Sequence, residues 1–144
     1  MIKKILVAFD GSTYSRKALE EVCDLVRCLN TDVTVLYVIP KIPPHAEPEL
    51  KLPSLDPSYL GFLRDQGKSI LENAERIAEE RGVRIVTALE HGYPVDVICK
   101  YAYEGGFDLV VLGSRGTNGS KLLPLGSVSE RVARVCKKSV LIVK

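Results

Sequence analysis

Five short apolar segments, rich in β-branched residues, recur along the chain and predict five β-strands. They are IKKILVAF (2–9), DVTVLYVI (32–39), VRIVTALE (83–90), FDLVVLG (107–113) and SVLIVK (139–144). Several of them are almost continuously hydrophobic, which is typical of strands covered on both faces, as in a parallel sheet.

Helical patterns fill the segments between these strands, because apolar residues recur there at intervals of three and four. Gly82 follows the second pattern and is a natural stop for that helix. Strand and helix in alternation predict a single α/β domain over residues 1–144. We expect an open, Rossmann-like sheet of five parallel strands with helices on both faces. The apolar positions are Ala18, Leu19, Val22, Leu25, Val26 and Leu29, then Leu60, Leu63, Gly67, Ile70, Leu71, Ala74, Ile77 and Ala78, then Val95, Ile98 and Ala102, and finally Val128, Val132 and Val135.

One segment, Pro40–Pro57, interrupts the alternation and holds most of the eight prolines of the chain. It can form neither a helix nor an interior strand. It leaves the carboxyl end of the second predicted strand, where ligands bind in open α/β sheets. Two interpretations stay open: the segment covers a ligand, or it is a surface insertion.

Composition narrows the class of protein. The chain has 144 residues, of which 46% are hydrophobic and 26% charged, and a formal net charge of +2. This balance predicts neither a nucleic acid nor a membrane as partner. The opening MIKKILVAFDGS resembles a signal peptide, but its apolar run ends at Asp10, short of the roughly 7–15 residues required. We therefore expect a cytoplasmic protein.

The four cysteines, Cys23, Cys28, Cys99 and Cys136, form no C-x-x-C pair. With only two histidines in the chain, they predict no zinc site. We interpret them as free thiols, with a redox sensor as the alternative.

The stretch GSRGTNGSKLLPLGSVSERV, which begins at Gly113, raises the main chemical question. Glycines before a helix let bare backbone approach phosphate oxygens, and a helix N-terminus attracts anions. The hydroxyls of Ser127 and Ser129 can donate to a phosphate or cap the helix. A flexible loop is the alternative explanation. The spacing fits neither G-x-x-x-x-G-K-[ST] nor G-x-G-x-x-G.

Two residues separate Gly113 from Gly116, and nine separate Gly116 from Gly126. This spacing, with ILVAFDGS, DLVVLG, LGS and SVLIVK in order, resembles the ATP-binding branch of the universal stress protein family over essentially the whole chain. The resemblance implies ATP as the ligand. It also implies phosphate contacts from Gly113, Gly116, Gly126, Ser127, Val128 and Ser129.

Four further residues are candidates for the same site. Asp10 ends the first strand, and two kinds of role are open for it. It is either a turn or cap residue, or it binds the ribose or a metal ion, Mg²⁺ or Mn²⁺, that bridges the phosphates. The resemblance favours a role at the nucleotide. It also places Val38 at the adenine pocket, with Leu112 beside the first glycine, although both could be plain core. Arg115 either adds charge near the phosphates or is solvated.

No Ser/His/Asp set emerges, and we interpret His91 as a turn residue rather than a base. We therefore expect an ATP-binding regulatory module in a stress response, acting on an unknown protein partner. The resemblance implies a homodimer formed through the C-terminal strand. The alternatives are a slow ATPase or phosphotransferase, and a nucleotide-free dimeric scaffold. AMP or a cyclic nucleotide in place of ATP also stays open.

Overall fold

A computed structural model describes residues 1–41, 57–117 and 125–144 of the chain. Strands and helices alternate through these ranges. The strands are β1 (Lys4–Ala8), β2 (Asp32–Pro40), β3 (Val86–Gly92), β4 (Leu109–Gly113) and β5 (Ser139–Val143). The helices are α1 (Thr13–Val26), α2 (Pro57–Glu80), α3 (Pro94–Glu104) and α4 (Ser127–Val135).

All five strands form one parallel sheet in the order β3-β2-β1-β4-β5. Val7 of β1 pairs with Val35 of β2 on one side and with Val111 of β4 on the other. The order of strands reverses at β1, so β1 and β4 flank a topological switch point, where ligands bind in such sheets. The predicted open parallel sheet is confirmed.

Two apolar layers cover the sheet. Ile5 and Val7 of β1 pack with buried residues of α1 and α2, whereas Leu6 packs with residues of α3 and α4. Successive side chains of a strand point to opposite faces, so a strand covered by both layers must be apolar throughout. This explains the unbroken apolar runs ILVAF and LVVL within the first and fourth predicted strands.

Several predicted positions differ from the structure at the ends of elements. Leu29 lies beyond α1, and its N–H donates to the Val26 carbonyl in the turn that follows the helix. Leu25 and Val135 lie on helices but are more than half exposed, because their faces point away from the sheet. Gly82 has a φ of +70° just after α2, which confirms the predicted stop.

The Pro40–Pro57 segment begins with the last residue of β2 and ends with the first of α2. Residues 42–56 between them, including His45, lie outside the described residues, so both interpretations of this segment remain predictions. Among the helices that the structure does describe, none is long and apolar enough to cross a membrane.

Candidate functional site

A cavity of about 430 Å³ opens at the carboxyl ends of β1, β2 and β4. It lies at the switch point that the sheet order defines. Every candidate residue proposed from the sequence lines it: Asp10, Val38, Leu112, Gly113, Arg115, Gly116, Gly126, Ser127, Val128 and Ser129. The fold therefore brings together residues as far apart in the sequence as Asp10 and Ser129.

Asp10 connects the loop after β1 with the loop after β4. Its Oδ1 accepts the N–H of Ser12 at 2.9 Å, and its Oδ2 accepts the N–H of Thr117 at 3.2 Å. Ser12, rather than Asp10, caps α1, since its hydroxyl accepts the N–H of Ser15. Asp10 is thus a turn residue that also holds the second loop against the cavity.

Gly113 and Gly116 are required by close packing within the protein. A Cβ on Gly113 would lie 2.6 Å from the carbonyl carbon of Tyr14 in α1. A Cβ on Gly116 would lie 2.8 Å from the Oδ2 of Asp10. The absence of both side chains lets the loop after β4 lie directly on α1 and on the Asp10 turn. From the sequence, these glycines were explained by close approach to phosphates or by a flexible loop, and this packing was not foreseen.

The first turn of α4 presents free backbone donors to the cavity. Gly126 is the N-cap, and its own N–H donates to the Ser114 carbonyl at 2.6 Å. The N–H groups of Ser127, Val128 and Ser129 have no backbone acceptor among the described residues. These three donors, with the positive end of the helix dipole, make the turn suitable for an anion.

The two serines of this turn differ in their surroundings. Ser129 is buried, and its hydroxyl lies 2.8 Å from the Ser114 carbonyl and 3.0 Å from the Gly126 carbonyl, to which it donates. The Ser127 hydroxyl has no hydrogen bond within the described ranges and does not cap the helix, since Gly126 is the N-cap and has no side chain. Of these two serines, only Ser127 therefore offers an uncommitted hydroxyl to a ligand.

Arg115 packs on α1. Its guanidinium lies over the ring of Tyr14, 5.7 Å from the centroid, and its Nη1 donates to the Tyr14 hydroxyl at 3.3 Å. A cation held over an aromatic face in this way keeps its charge while its position is restricted. The positive charge consequently stays at the edge of the cavity.

The opposite end of the cavity is apolar. Val38 and Leu112 are both buried and belong to the core layer under α3 and α4, so they are core residues and lining residues at once. Pro94 and Ile98 of α3 line the same end. A flat apolar group would be covered here on several sides.

Sequence reasoning missed several lining residues, among them Tyr37 and Ile70. Tyr37 lines the cavity from β2, and burial, followed by the charge of Asp10, raises the pKa of its hydroxyl. Ile70 reaches the cavity from α2, close to Gly11. Tyr37 is next to the predicted Val38 but packs in the opposite layer, and Ile70 comes from another element, so nothing local indicates either residue.

The other candidates lie elsewhere. His91 is a residue of β3 and not of a turn, contrary to the sequence prediction, because β3 extends to Gly92. Burial, then the charges of Lys41 and Arg64, lower its pKa. The four cysteines are free, as expected, although Cys28 is exposed. Burial raises the pKa of Cys23 to about 11 and that of Cys99 to about 12. The described residues contain no group of three or more metal-ligating side chains.

Comparison with known proteins places this geometry in a family. The sequence model of the universal stress protein family matches residues 1–144. Universal stress protein YxiE of Bacillus subtilis is 34% identical, with all of both chains covered. Universal stress protein MJ0577 of Methanocaldococcus jannaschii is 29% identical, and its solved structure has a TM-score of 0.84 over 100% of this chain and 96% of that one.

A crystal structure of a universal stress protein in complex with cAMP is also similar. It is 27% identical with a TM-score of 0.69, covering 99% of this chain and 97% of that one. The family sequence model matches the whole chain, and one relative is 34% identical to it. The parallel sheet described above is consistent with these matches. This chain belongs to the universal stress protein family.

Proposed function

We propose that this chain binds an adenine nucleotide, ATP foremost, and acts as a nucleotide-dependent regulatory module. One observation carries the proposal: a single cavity joins an apolar end at Val38 and Leu112 to the first turn of α4, whose N–H groups have no backbone acceptor among the described residues. An apolar end suits a purine, and a helix N-terminus suits phosphates. The volume of about 430 Å³ lies in the usual range for small-molecule sites.

The phosphates would be held mainly by backbone. Val128 and Ser129 would contribute N–H groups, and Ser127 would contribute an N–H and its hydroxyl. Gly113, Gly116 and Gly126 keep the loops close enough for such contacts because none of them carries a side chain. Arg115 would add charge from its place over Tyr14.

Asp10 is the candidate for contact with ribose or with a metal ion. It is the one carboxylate among the described residues that line the cavity. Each of its oxygens accepts a single N–H and keeps a further lone pair. Mg²⁺ is commonly held by one or two carboxylates together with phosphates, so Asp10 fits Mg²⁺ or Mn²⁺ bound through the nucleotide.

Binding without rapid hydrolysis fits the site better than an ATPase or a phosphotransferase. The described lining residues include no histidine and no second carboxylate to activate water. Nucleotide occupancy would act through the surfaces of the loops that contact it, and a protein partner would detect that change. The family itself supports a role in stress.

The identity of the bound nucleotide is a more specific part of the proposal. The related structure with cAMP supports an adenine nucleotide in this fold and leaves the number of phosphates to be measured. ATP is our first choice because the spacing of Gly113, Gly116 and Gly126 resembles the ATP-binding branch of the family.

Mass spectrometry of nucleotide released by heat from the purified protein tests the proposal directly. We expect ATP near one per chain. ADP in its place would favour a slow ATPase, and AMP or cAMP would change the assigned ligand. If no nucleotide is released, and if calorimetric titrations with ATP, AMP and cAMP then show no heat of binding, nucleotide binding is refuted. That result would favour the nucleotide-free dimeric scaffold.

Two valine variants test the location of the site. A Cβ on Gly126 would lie 3.2 Å from the Arg115 Cα, so Gly126→Val should displace the turn and abolish ATP binding. Gly61→Val is the matched control, because a Cβ on Gly61 meets nothing within 4 Å. Unfolding curves would confirm that both variants are folded. Equal affinity in the two variants would contradict the assigned site.

A further inference from the structure

A second cavity, of about 160 Å³, lies beside the main one, and we call it the side cavity. Its own polar lining is Lys41, Tyr93, Asp96 and Arg131. It shares Pro94, Ser127 and Val128 with the main cavity, so the first turn of α4 borders both. A ligand held at this turn therefore has a second space within reach.

Two cations reach the side cavity from different elements. Lys41 follows β2 and is fixed at the backbone by its N–H, which donates to the Gly92 carbonyl at 2.9 Å. Arg131 lies four residues after Ser127 on α4, and residues at this interval share one face of a helix. Within the described ranges, neither side chain takes part in an ion pair. Their charges are therefore available to a ligand.

Asp96, from the first turn of α3, also lines the side cavity. It is the one acidic residue in this lining, against two basic residues. The lining keeps a net positive charge, so an anion there would be attracted by Lys41 and Arg131 and partly repelled by Asp96. Because Asp96 repels an anion, removal of its charge should strengthen binding, and this makes Asp96 useful in a test.

The size of the side cavity limits what it can hold. Pockets for complete small-molecule ligands usually measure roughly 300–1,000 Å³. At about 160 Å³ the side cavity is too small for a second nucleoside but has room for one compact group. Arg and Lys are the usual side chains that bind phosphate.

We propose that the side cavity binds one additional phosphate group of the nucleotide, held by Lys41 and Arg131. This inference rests on the proposed nucleotide binding in the main cavity. The phosphate can be the terminal one of the 5′ chain, which would pass Ser127, or one attached to the ribose. In either case this chain prefers nucleotides with more phosphate groups over AMP.

Calorimetric titration of the full chain with AMP, ATP and adenosine 3′,5′-bisphosphate tests the inference. Arg131→Gln and Lys41→Gln should each weaken binding of ATP roughly fivefold and leave AMP within about twofold. Asp96→Asn should strengthen ATP binding, because it removes a like charge. The effects of the Gln variants should shrink in high salt.

Arg134→Gln is the matched control. Arg134 lies on the same helix, is exposed, pairs with Glu130 at 2.6 Å and does not line the side cavity. It loses the same charge, so a general effect of net charge would appear in this variant too. We expect its ATP affinity to equal that of the unchanged protein.

The outcomes separate the two proposals. Weakened binding of the bisphosphate with unchanged ATP would place the phosphate on the ribose and still support the side cavity. Equal effects on AMP and ATP, or none on any probe, would overturn this inference while nucleotide binding stood. Failure of the unchanged protein to bind any of the three nucleotides would refute nucleotide binding itself and the side cavity with it.

Discussion

At the scale of single residues, Gly113 shows how a residue of the proposed nucleotide site is also required by packing. Gly113→Ala would place a Cβ against the backbone of Tyr14, a contact that neither loop nor helix can relieve without moving. We expect a loss of about 2–3 kcal/mol in the free energy of unfolding, as for overpacked cores. Urea denaturation measures it.

Gly61→Ala provides the comparison for Gly113→Ala. Gly61 lies inside α2 with open space around its Cβ position. Alanine should stabilise the helix there by about 0.5–1 kcal/mol, because glycine loses more backbone entropy on folding. A similar destabilisation by both substitutions would show that the contact with Tyr14 is not the cause.

Asp108 gives a residue-scale prediction about pH. Its Oδ2 accepts the N–H groups of Lys3 and Lys4 at 2.9 and 3.0 Å. The bond from Lys3, supported by that from Lys4 and by nearby positive charge, lowers the carboxyl pKa below its ordinary value of 3.8. Because the pKa is lowered in the folded state, the stabilisation is complete above pH 3.8 and disappears as pH falls through the folded pKa.

Asp108→Asn checks this prediction. The variant should unfold at lower urea concentration than the unchanged protein at neutral pH. The difference should shrink below pH 3.8, where the unchanged carboxyl also becomes protonated. A difference that stays constant down to the acid unfolding of both proteins would contradict the role of the charge.

At the scale of elements, the first turn of α4 contains two serines, Ser127 and Ser129, with different predicted roles. The Ser129 hydroxyl donates to the Ser114 carbonyl, so it links α4 to the end of β4. Ser129→Ala should lower the free energy of unfolding by about 1 kcal/mol. ATP affinity should stay within about twofold, because the backbone N–H remains.

Ser127→Ala should show the reverse pattern. The Ser127 hydroxyl has no bond within the described ranges, so its loss leaves stability nearly unchanged. Binding of ATP should weaken roughly fivefold through loss of a hydrogen bond to a charged phosphate. Calorimetric titration and urea denaturation of both variants give the comparison. A weaker ATP complex in Ser129→Ala alone would mean that this hydroxyl turns to the ligand.

The elements were predictable because local patterns determine them. Continuous apolar runs indicated strands covered on both faces, and the structure has Leu6 and Val7 in opposite layers. The spacing of the glycines indicated the loops around the cavity. Such loops can be predicted from sequence because the conformation of a turn depends mainly on the residues within it. The contribution of Ile70 was not predictable, because it depends on which face of the sheet α2 covers. The packing of Gly113 on Tyr14 likewise depends on a contact between distant segments.

At the scale of the whole molecule, the two edges of the sheet differ. β3 and β5 are the outer strands, and among the described residues each has a neighbouring strand on one side only. β5 carries the partly exposed Leu141, with Val135 exposed at the end of α4 just before it in the chain. β3 carries the exposed Val86, which is followed along the strand by charged and polar positions at Glu90 and His91.

We expect a homodimer that pairs β5 of one protomer with a second copy, because this edge has apolar side chains and no neighbouring strand on its outer side within the described ranges. Leu141→Lys would place a charge in that contact and should give a folded monomer. Val86→Lys, at the opposite edge, is the control and should leave the dimer intact. Sedimentation velocity distinguishes the two masses. A dimer that survives Leu141→Lys and dissociates in Val86→Lys would move the interface to β3, on the side of the sheet farther from α4 and the proposed phosphate site.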